Sequence, residues 1–180
     1  MPAGRPRRRP DRSVAGRPVP PVTLTFAPDA ELCLARTASA YSLVICLFRA
    51  LGEEGRFEPE TERIRHWQHL RSELSSTHHR MVAVSSEPLL RQALPSGLLT
   101  DWLILSDSDL ELTRWLPLPV TTHGSHSAYQ PATLITDRSR IVKHFSSVDA
   151  DDAEKVTDWL RRRASISLVP APHGSRARPL

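Results

Sequence analysis

The chain reads as an α/β sandwich, a mixed central sheet flanked by helices, and three features of its 180 residues lead there. Tyr41–Phe48 (Tyr-Ser-Leu-Val-Ile-Cys-Leu-Phe) is a nearly unbroken apolar run of strand length, the form of a strand buried on both faces of a sheet. Short apolar runs then alternate with stretches of helical period, the order that makes β-α-β crossovers and parallel strands. Two late runs close around Asp137-Arg138-Ser139-Arg140, the spacing of a hairpin, so an antiparallel pair is added to the parallel ones.

The elements follow in order. Val22–Phe26 is a short strand and Tyr41–Phe48 the central one; a loop rich in Gly and Glu, Leu51–Glu58, comes next. Pro59 suits the first turn of a helix, where a missing N–H costs nothing, and Ile64, Trp67, Leu70 and Leu74 continue from it as one apolar stripe. Arg80–Ser85 is a strand, Glu87–Leu94 a short helix that Pro95-Ser96-Gly97 interrupts, and Trp102–Leu105 a strand. Asp107 or Ser108 can cap a helix over Asp109–Trp115, whose first turn carries acids where the helix dipole favours them. A loop of Pro, Thr, His, Gly and Ser leads to the hairpin strands Ala132–Thr136 and Ile141–Phe145. The last helix, Asp151–Arg163, turns Ala153, Val156, Trp159 and Leu160 inward and ends on three Arg, the favourable polarity.

Composition bounds the function. The mass of 20.2 kDa suits one domain with tails and is too small for a two-domain enzyme. Hydrophobic residues make up 39% and charged ones 24%, which rules out full disorder, and no apolar run approaches the length of a membrane span. The net charge of +4 looks like that of a nucleic-acid binder until the charges are located. Residues 1–22 hold six Arg and one Asp, and 161–180 hold five Arg and no acid, so thirteen bases face nineteen acids in between. The body is acidic, whereas nucleic-acid binding needs a basic folded face. The ends, 1–21 and 164–180, are rich in Pro and Arg and read as disordered tails around a domain over 22–163. No apolar stretch follows Arg7-Arg8-Arg9, so a signal peptide is not indicated and the expected setting is cytoplasmic. Two cysteines, Cys33 and Cys46, are too few for a secreted disulfide framework.

Among small α/β architectures the thioredoxin-like fold fits this order of elements best. Two segments carry a closer likeness. Val82-Ala83-Val84-Ser85-Ser86-Glu87-Pro88, continuing to Leu103-Ile104-Leu105-Ser106-Asp107-Ser108-Asp109-Leu110-Glu111-Leu112, resembles the stretch of peroxiredoxins in which a strand ends in serines and a later strand runs into Ser-Asp. Gln130-Pro131-Ala132-Thr133-Leu134-Ile135-Thr136-Asp137-Arg138-Ser139-Arg140-Ile141-Val142 is similar to their late hairpin, and Asp151–Arg163 matches their closing helix. The resemblance is to peroxiredoxins of the alkyl hydroperoxide reductase and thiol-specific antioxidant type, and it covers residues 22–163.

That resemblance implies a redox protein whose working cysteine follows the long buried strand, in the first turn of the next helix, where the dipole and a nearby Arg stabilise the thiolate. Here the corresponding segment, Phe48–Thr61, contains no cysteine, and no Cys-x-x-Cys pair exists. Pro131 stands where the family places an Arg before the Ala-Thr of the hairpin, and it resembles the cis-proline beside the active cysteine of thioredoxin-like reductases. Ordinary peroxidase activity is therefore expected to be absent. Arg49, Arg56, Glu58, Thr61 and Pro131 would line the pocket that remains, and the resemblance also implies a homodimer.

Other chemistry is weaker. Cys46 lies inside the apolar strand, where a thiol acts as a small hydrophobe; Cys33 lies near a turn and is more accessible. Glu58 could act as a general acid or base if burial raised its pKa, but with Glu60 at a helix start it is more simply a dipole-favoured, solvated residue. His66, His69, His123 and His126 do not have the spacing of a metal framework, so no metal site and no cofactor are expected. Phosphate-binding glycine loops and a Gly-x-Ser-x-Gly elbow are absent. Three readings result: a peroxiredoxin-like chain that binds a small molecule or partner without peroxidase activity, a thiol oxidoreductase using Cys33 or Cys46, and an interaction protein working through its Arg-rich tails.

Overall fold

The computed structural model describes residues 13–49, 67, 79–88, 103–124, 126–147 and 152–167. In chain order these form β1 (Thr23–Ala27), β2 (Ala30–Cys33), α1 (Leu34–Ala40), β3 (Ser42–Phe48), β4 (His79–Ser85), β5 (Leu103–Ser106), a 3-10 turn (Glu111–Arg114), β6 (Val120–His123), β7 (His126–Tyr129), β8 (Ala132–Thr136), β9 (Val142–Ser147) and α2 (Asp152–Ser167). Seven strands make one sheet in the order β2-β1-β5-β4-β3-β8-β9, and β6 with β7 makes a separate ribbon. β3, β4 and β5 are parallel, whereas β8 and β9 are antiparallel, as are β1 and β2. The expected mixed sheet is present, with its parallel strands at the centre.

The apolar run becomes β3, and its alternation shows why it needed no polar face. Leu43, Ile45 and Leu47 enter one core with Val82, Val84, Leu105 and Leu134, while Val44 and Cys46 enter a second with Trp67, Ile135, Val156 and Leu160. Successive side chains of a strand point to opposite faces, and both faces are covered. Each fully buried aliphatic side chain contributes about 1.5–3 kcal/mol before entropy is counted. Trp67 is helical and fully buried, in line with the stripe read from the sequence; Ile64, Leu70, Leu74 and the Leu51–Glu58 loop lie outside the described residues. From α2, Val156 and Leu160 are buried and Trp159 packs against the same core.

Five expectations change. The strand Val22–Phe26 proves to be half of a hairpin, because Pro28-Asp29 turn the chain and Leu24 pairs with Leu32; α1 then buries Leu34, Ala35 and Ala38. The helix expected over Asp109–Trp115 is only a 3-10 turn, since Leu110 adopts a left-handed φ of 53° and Pro117 follows closely. The loop before the hairpin holds the β6–β7 ribbon, turned at Gly124 with φ +61°, a conformation that favours glycine. The ordered body also starts ahead of residue 22, because Val14 and Val19 are 3% and 5% exposed core residues. At the other end α2 continues past 163 to Ser167. Residues 1–12 and 168–180 lie outside the described residues.

Candidate functional site

The parallel strands end together. Phe48 of β3 is level with Ser85 of β4, and Ser85 with Ser106 of β5, so three chain exits share one edge of the sheet. The carboxyl ends of parallel strands are where open α/β sheets place their ligands. β8 runs the other way and pairs Ala132 with Leu47, which sets Pro131 opposite Phe48 at the same edge. Arg49 and Pro131, far apart in sequence, are thus brought together. Arg56, Glu58 and Thr61 lie outside the described residues, as do His66 and His69.

Side chains at this edge hold the backbone of their neighbours. The Ser86 hydroxyl donates to the Arg49 carbonyl at 2.8 Å, and the Ser85 hydroxyl reaches the same oxygen at 3.4 Å. Ser85 Oγ accepts from the Glu87 N–H (3.0 Å), and the Ser106 hydroxyl donates to the Glu87 carbonyl (2.8 Å). Each strand therefore fixes the exit of the one beside it: β4 fixes that of β3, and β5 that of β4. These hydroxyls are committed to main-chain groups, which suits a scaffold for the Arg49 segment rather than nucleophilic chemistry.

Asp107 completes the edge. It is 3% exposed, and its N–H donates to the Ser85 carbonyl at 2.8 Å. Its carboxylate accepts the N–H groups of Glu111 (2.7 Å) and Leu112 (3.1 Å), so of the two residues expected to cap the next turn, Asp107 does so. It also accepts the Tyr129 hydroxyl at 2.5 Å, tying the β6–β7 ribbon to the edge two residues before Pro131. Burial first, then the Asp107 hydrogen bond and charge, push the Tyr129 phenol well above its ordinary range, so it stays protonated. In the sequence Ser85 and Ser86 stand out only by their likeness to peroxiredoxins, and Asp107 only as a cap. Tyr129 had no signal, because its partner lies 22 residues away.

The structure separates the two thiols. Cys46 is in mid-β3, 4% exposed, on the face covered by Trp67 and α2. Cys33 ends β2, the far edge strand, and is half-buried. Four strand spacings separate β2 from β3, about 19 Å at about 4.8 Å each. A disulfide needs its Cα atoms within about 7 Å, so Cys33 and Cys46 of one chain cannot form a redox pair. Cys33 pairs with Thr23, beyond the level of the Thr25–Ser106 pair, so it lies on the carboxyl side of the sheet but on its outermost strand; among the described residues no cysteine stands where β3, β4 or β5 exits. Pro131 also departs from its expected likeness: no described peptide bond is cis. His123 and His126 pair across the ribbon's turn, and among the described residues no group of three His, Cys, Asp or Glu could hold a metal ion. No described helix is long and apolar enough to cross a membrane.

No protein-family model matches the sequence, and no curated protein matches it. Solved structures do match. Peroxidoxin BcpB from Mycobacterium tuberculosis superposes with a TM-score of 0.70 at 18% identity, over 82% of this chain and 96% of that one. Peroxiredoxin Q from Xanthomonas campestris gives 0.68 at 16% identity, over 84% and 99%. Reduced Prx3 from Vibrio vulnificus gives 0.62 at 18% identity, over 82% and 97%. The chain has the thioredoxin-like fold of peroxiredoxins, as the two sequence segments implied.

Proposed function

We propose that the chain is a peroxiredoxin-like protein of this redox fold that lacks ordinary thiol peroxidase activity. In this reading it binds a small molecule or partner at the carboxyl edge, between the Arg49–Thr61 segment and Pro131. One observation carries the reading: the segment that leaves β3 at this edge holds no cysteine, while the two thiols lie in mid-strand and on the far edge strand. A peroxidatic thiol must be a thiolate reached by peroxide and stabilised by a helix N-terminus or a cation. Cys46, enclosed by Val44, Trp67 and Ile135, has the surroundings of a packing residue. A homodimer belongs to the same reading, and light scattering on the native chain tests it.

The accessibility of Cys33 supports a second reading, a thiol oxidoreductase that uses it. Intact-mass analysis separates the two. The reduced protein is exposed to mild hydrogen peroxide with a sulfenic-acid trap, beside Cys33→Ser and Cys46→Ser. The expected result is no fast adduct on either thiol. A fast adduct that one Cys→Ser variant abolishes would overturn the first reading and name the redox residue.

A further inference from the structure

The edge of the sheet opposite the candidate site gathers bases. β3 and β4 start there with Leu43 level with Arg80, and the Leu43 N–H donates to the Thr136 hydroxyl of β8 (3.0 Å). Thr136 is level with Val142 of β9, whose N–H donates to the Arg17 carbonyl (2.9 Å). Arg80 and Arg17 therefore stand four strand spacings apart along one edge, about 19 Å at about 4.8 Å each. The β8–β9 turn lies between them, with Arg138 and Arg140 exposed. Lys143 and Asp137 neutralise each other at 2.9 Å, and Asp158 of α2 is paired with Arg161 (3.7 Å). Among the described strands and their turns the other acid at this edge is Asp29 of the β1–β2 turn, two strand spacings beyond Arg80. The acidic sum of the body conceals this row, because Glu87, Asp107 and Asp109 follow β4 and β5 at the opposite edge.

Two of these side chains are placed in ways that packing does not require. Arg140 sits at φ 62°, where glycine is unstrained and a side chain is not, so the turn keeps a guanidinium at a cost to its backbone. Retained strain of this kind gathers at functional sites. Tyr41 ends α1 with 44% of its surface exposed, and the Arg80 guanidinium lies 5.2 Å from its ring centroid, which orients the ring while leaving it open. Cations in a row beside an open aromatic ring suit a single-stranded nucleic acid: the arginines follow its phosphates and the ring stacks a base. A duplex has no free base face to offer Tyr41, and an acidic peptide would use the arginines alone. We propose that the edge running from Tyr41 and Arg80 to Arg138, Arg140 and Arg17 binds single-stranded nucleic acid, independently of the carboxyl edge.

The test is fluorescence anisotropy of a short labelled oligothymidylate with the full chain. Arg80→Gln, Arg138→Gln and Arg140→Gly combined, all at exposed positions, should weaken binding roughly tenfold or more. The same variant should flatten the log–log salt slope by about 2, at about 0.7 per lost phosphate contact. Tyr41→Leu should weaken binding roughly fivefold or more at an unchanged slope, and Tyr41→Phe should restore it. A native chain that does not bind the strand overturns the proposal. Unchanged binding in the combined variant does so too, since it assigns the contact to the Arg-rich ends. Equal affinity for a duplex of the same length, an unaltered affinity in Tyr41→Leu, or displacement of the labelled strand by phosphatidylserine vesicles but not by unlabelled strand each overturn it as well. If Tyr41→Leu loses its circular dichroism, photocrosslinking of the native chain to a bromouracil-substituted strand decides instead. An adduct on Tyr41 supports the proposal, and adducts confined to residues 1–12 and 168–180 overturn it.

Discussion

Removing the Tyr129 hydroxyl should cost far more than one neutral hydrogen bond, because its acceptor is the buried Asp107 carboxylate, 2.5 Å away. Bonds to charged groups contribute about 1.5–3 kcal/mol, so Tyr129→Phe should destabilise the chain by about 2 kcal/mol. At about 2–4 °C per kcal/mol for a chain of this size, the melting temperature should fall by roughly 4–8 °C. Asp107→Ala should cost about 4 kcal/mol, since it also removes the acceptor for the Glu111 and Leu112 N–H groups and leaves a buried phenol without its partner. In a double-mutant cycle read by urea unfolding at pH 7, the two should couple by about 2 kcal/mol. The pH profile supplies an independent check. Burial and Asp107 raise the folded-state pKa of Tyr129 above its ordinary 10.0, so its stabilisation is fully present below that pH and is lost as pH rises beyond it, where the unfolded chain ionises. Tyr129→Phe should remove that alkaline loss. Additive variants, with coupling below about 0.5 kcal/mol, would refute the view that Asp107 and Tyr129 act as a unit.

Two further outcomes concern the β8–β9 turn. Burial alone would raise the Asp137 pKa, but the Ile141 N–H at 3.0 Å and Lys143 at 2.9 Å prevail and hold it below the ordinary 3.8. Its contribution is therefore present above that value and lost as pH falls through the lower folded-state pKa, so the gap in urea midpoint between native and Asp137→Asn should close on acidification from pH 7 to 2; a constant gap would contradict this. Arg140, exposed and at φ 62°, bears the left-handed strain of a side chain where glycine fits. Arg140→Gly should raise thermal stability by a few tenths to about 1 kcal/mol, and a lower melting temperature would show that the side chain makes a contact worth more than the strain.

Much of the frame was legible because its signals are local. β3 announces burial on both faces by lacking polar residues, the late hairpin is marked by Asp137-Arg138-Ser139-Arg140, and α2 by the inward spacing of Val156, Trp159 and Leu160. Asp107 was visible as a cap for the same reason. The misses were also physical. α1 is only seven residues long, too short for a clear period, and β2 is four. The expected helix at Asp109 gave way because Asp107 binds the next N–H groups in a tight turn, which no propensity shows. Residues 13–21 looked like a tail by composition, yet Val14 and Val19 found a place in the core.

By itself the sequence determined that a strand such as β3 must be enclosed on both sides, that the Phe48–Thr61 segment carries no thiol, and that the body is acidic between basic ends. Only the tertiary structure decided which strand ends meet. It set Phe48, Ser85 and Ser106 level, put Pro131 opposite Phe48, joined Tyr129 to Asp107, and parted Cys33 from Cys46 by four strand spacings. Periodicity is a property of neighbours along the chain, whereas strand order and register arise from pairings between distant segments, chosen by how well all the buried faces and backbone groups are satisfied at once.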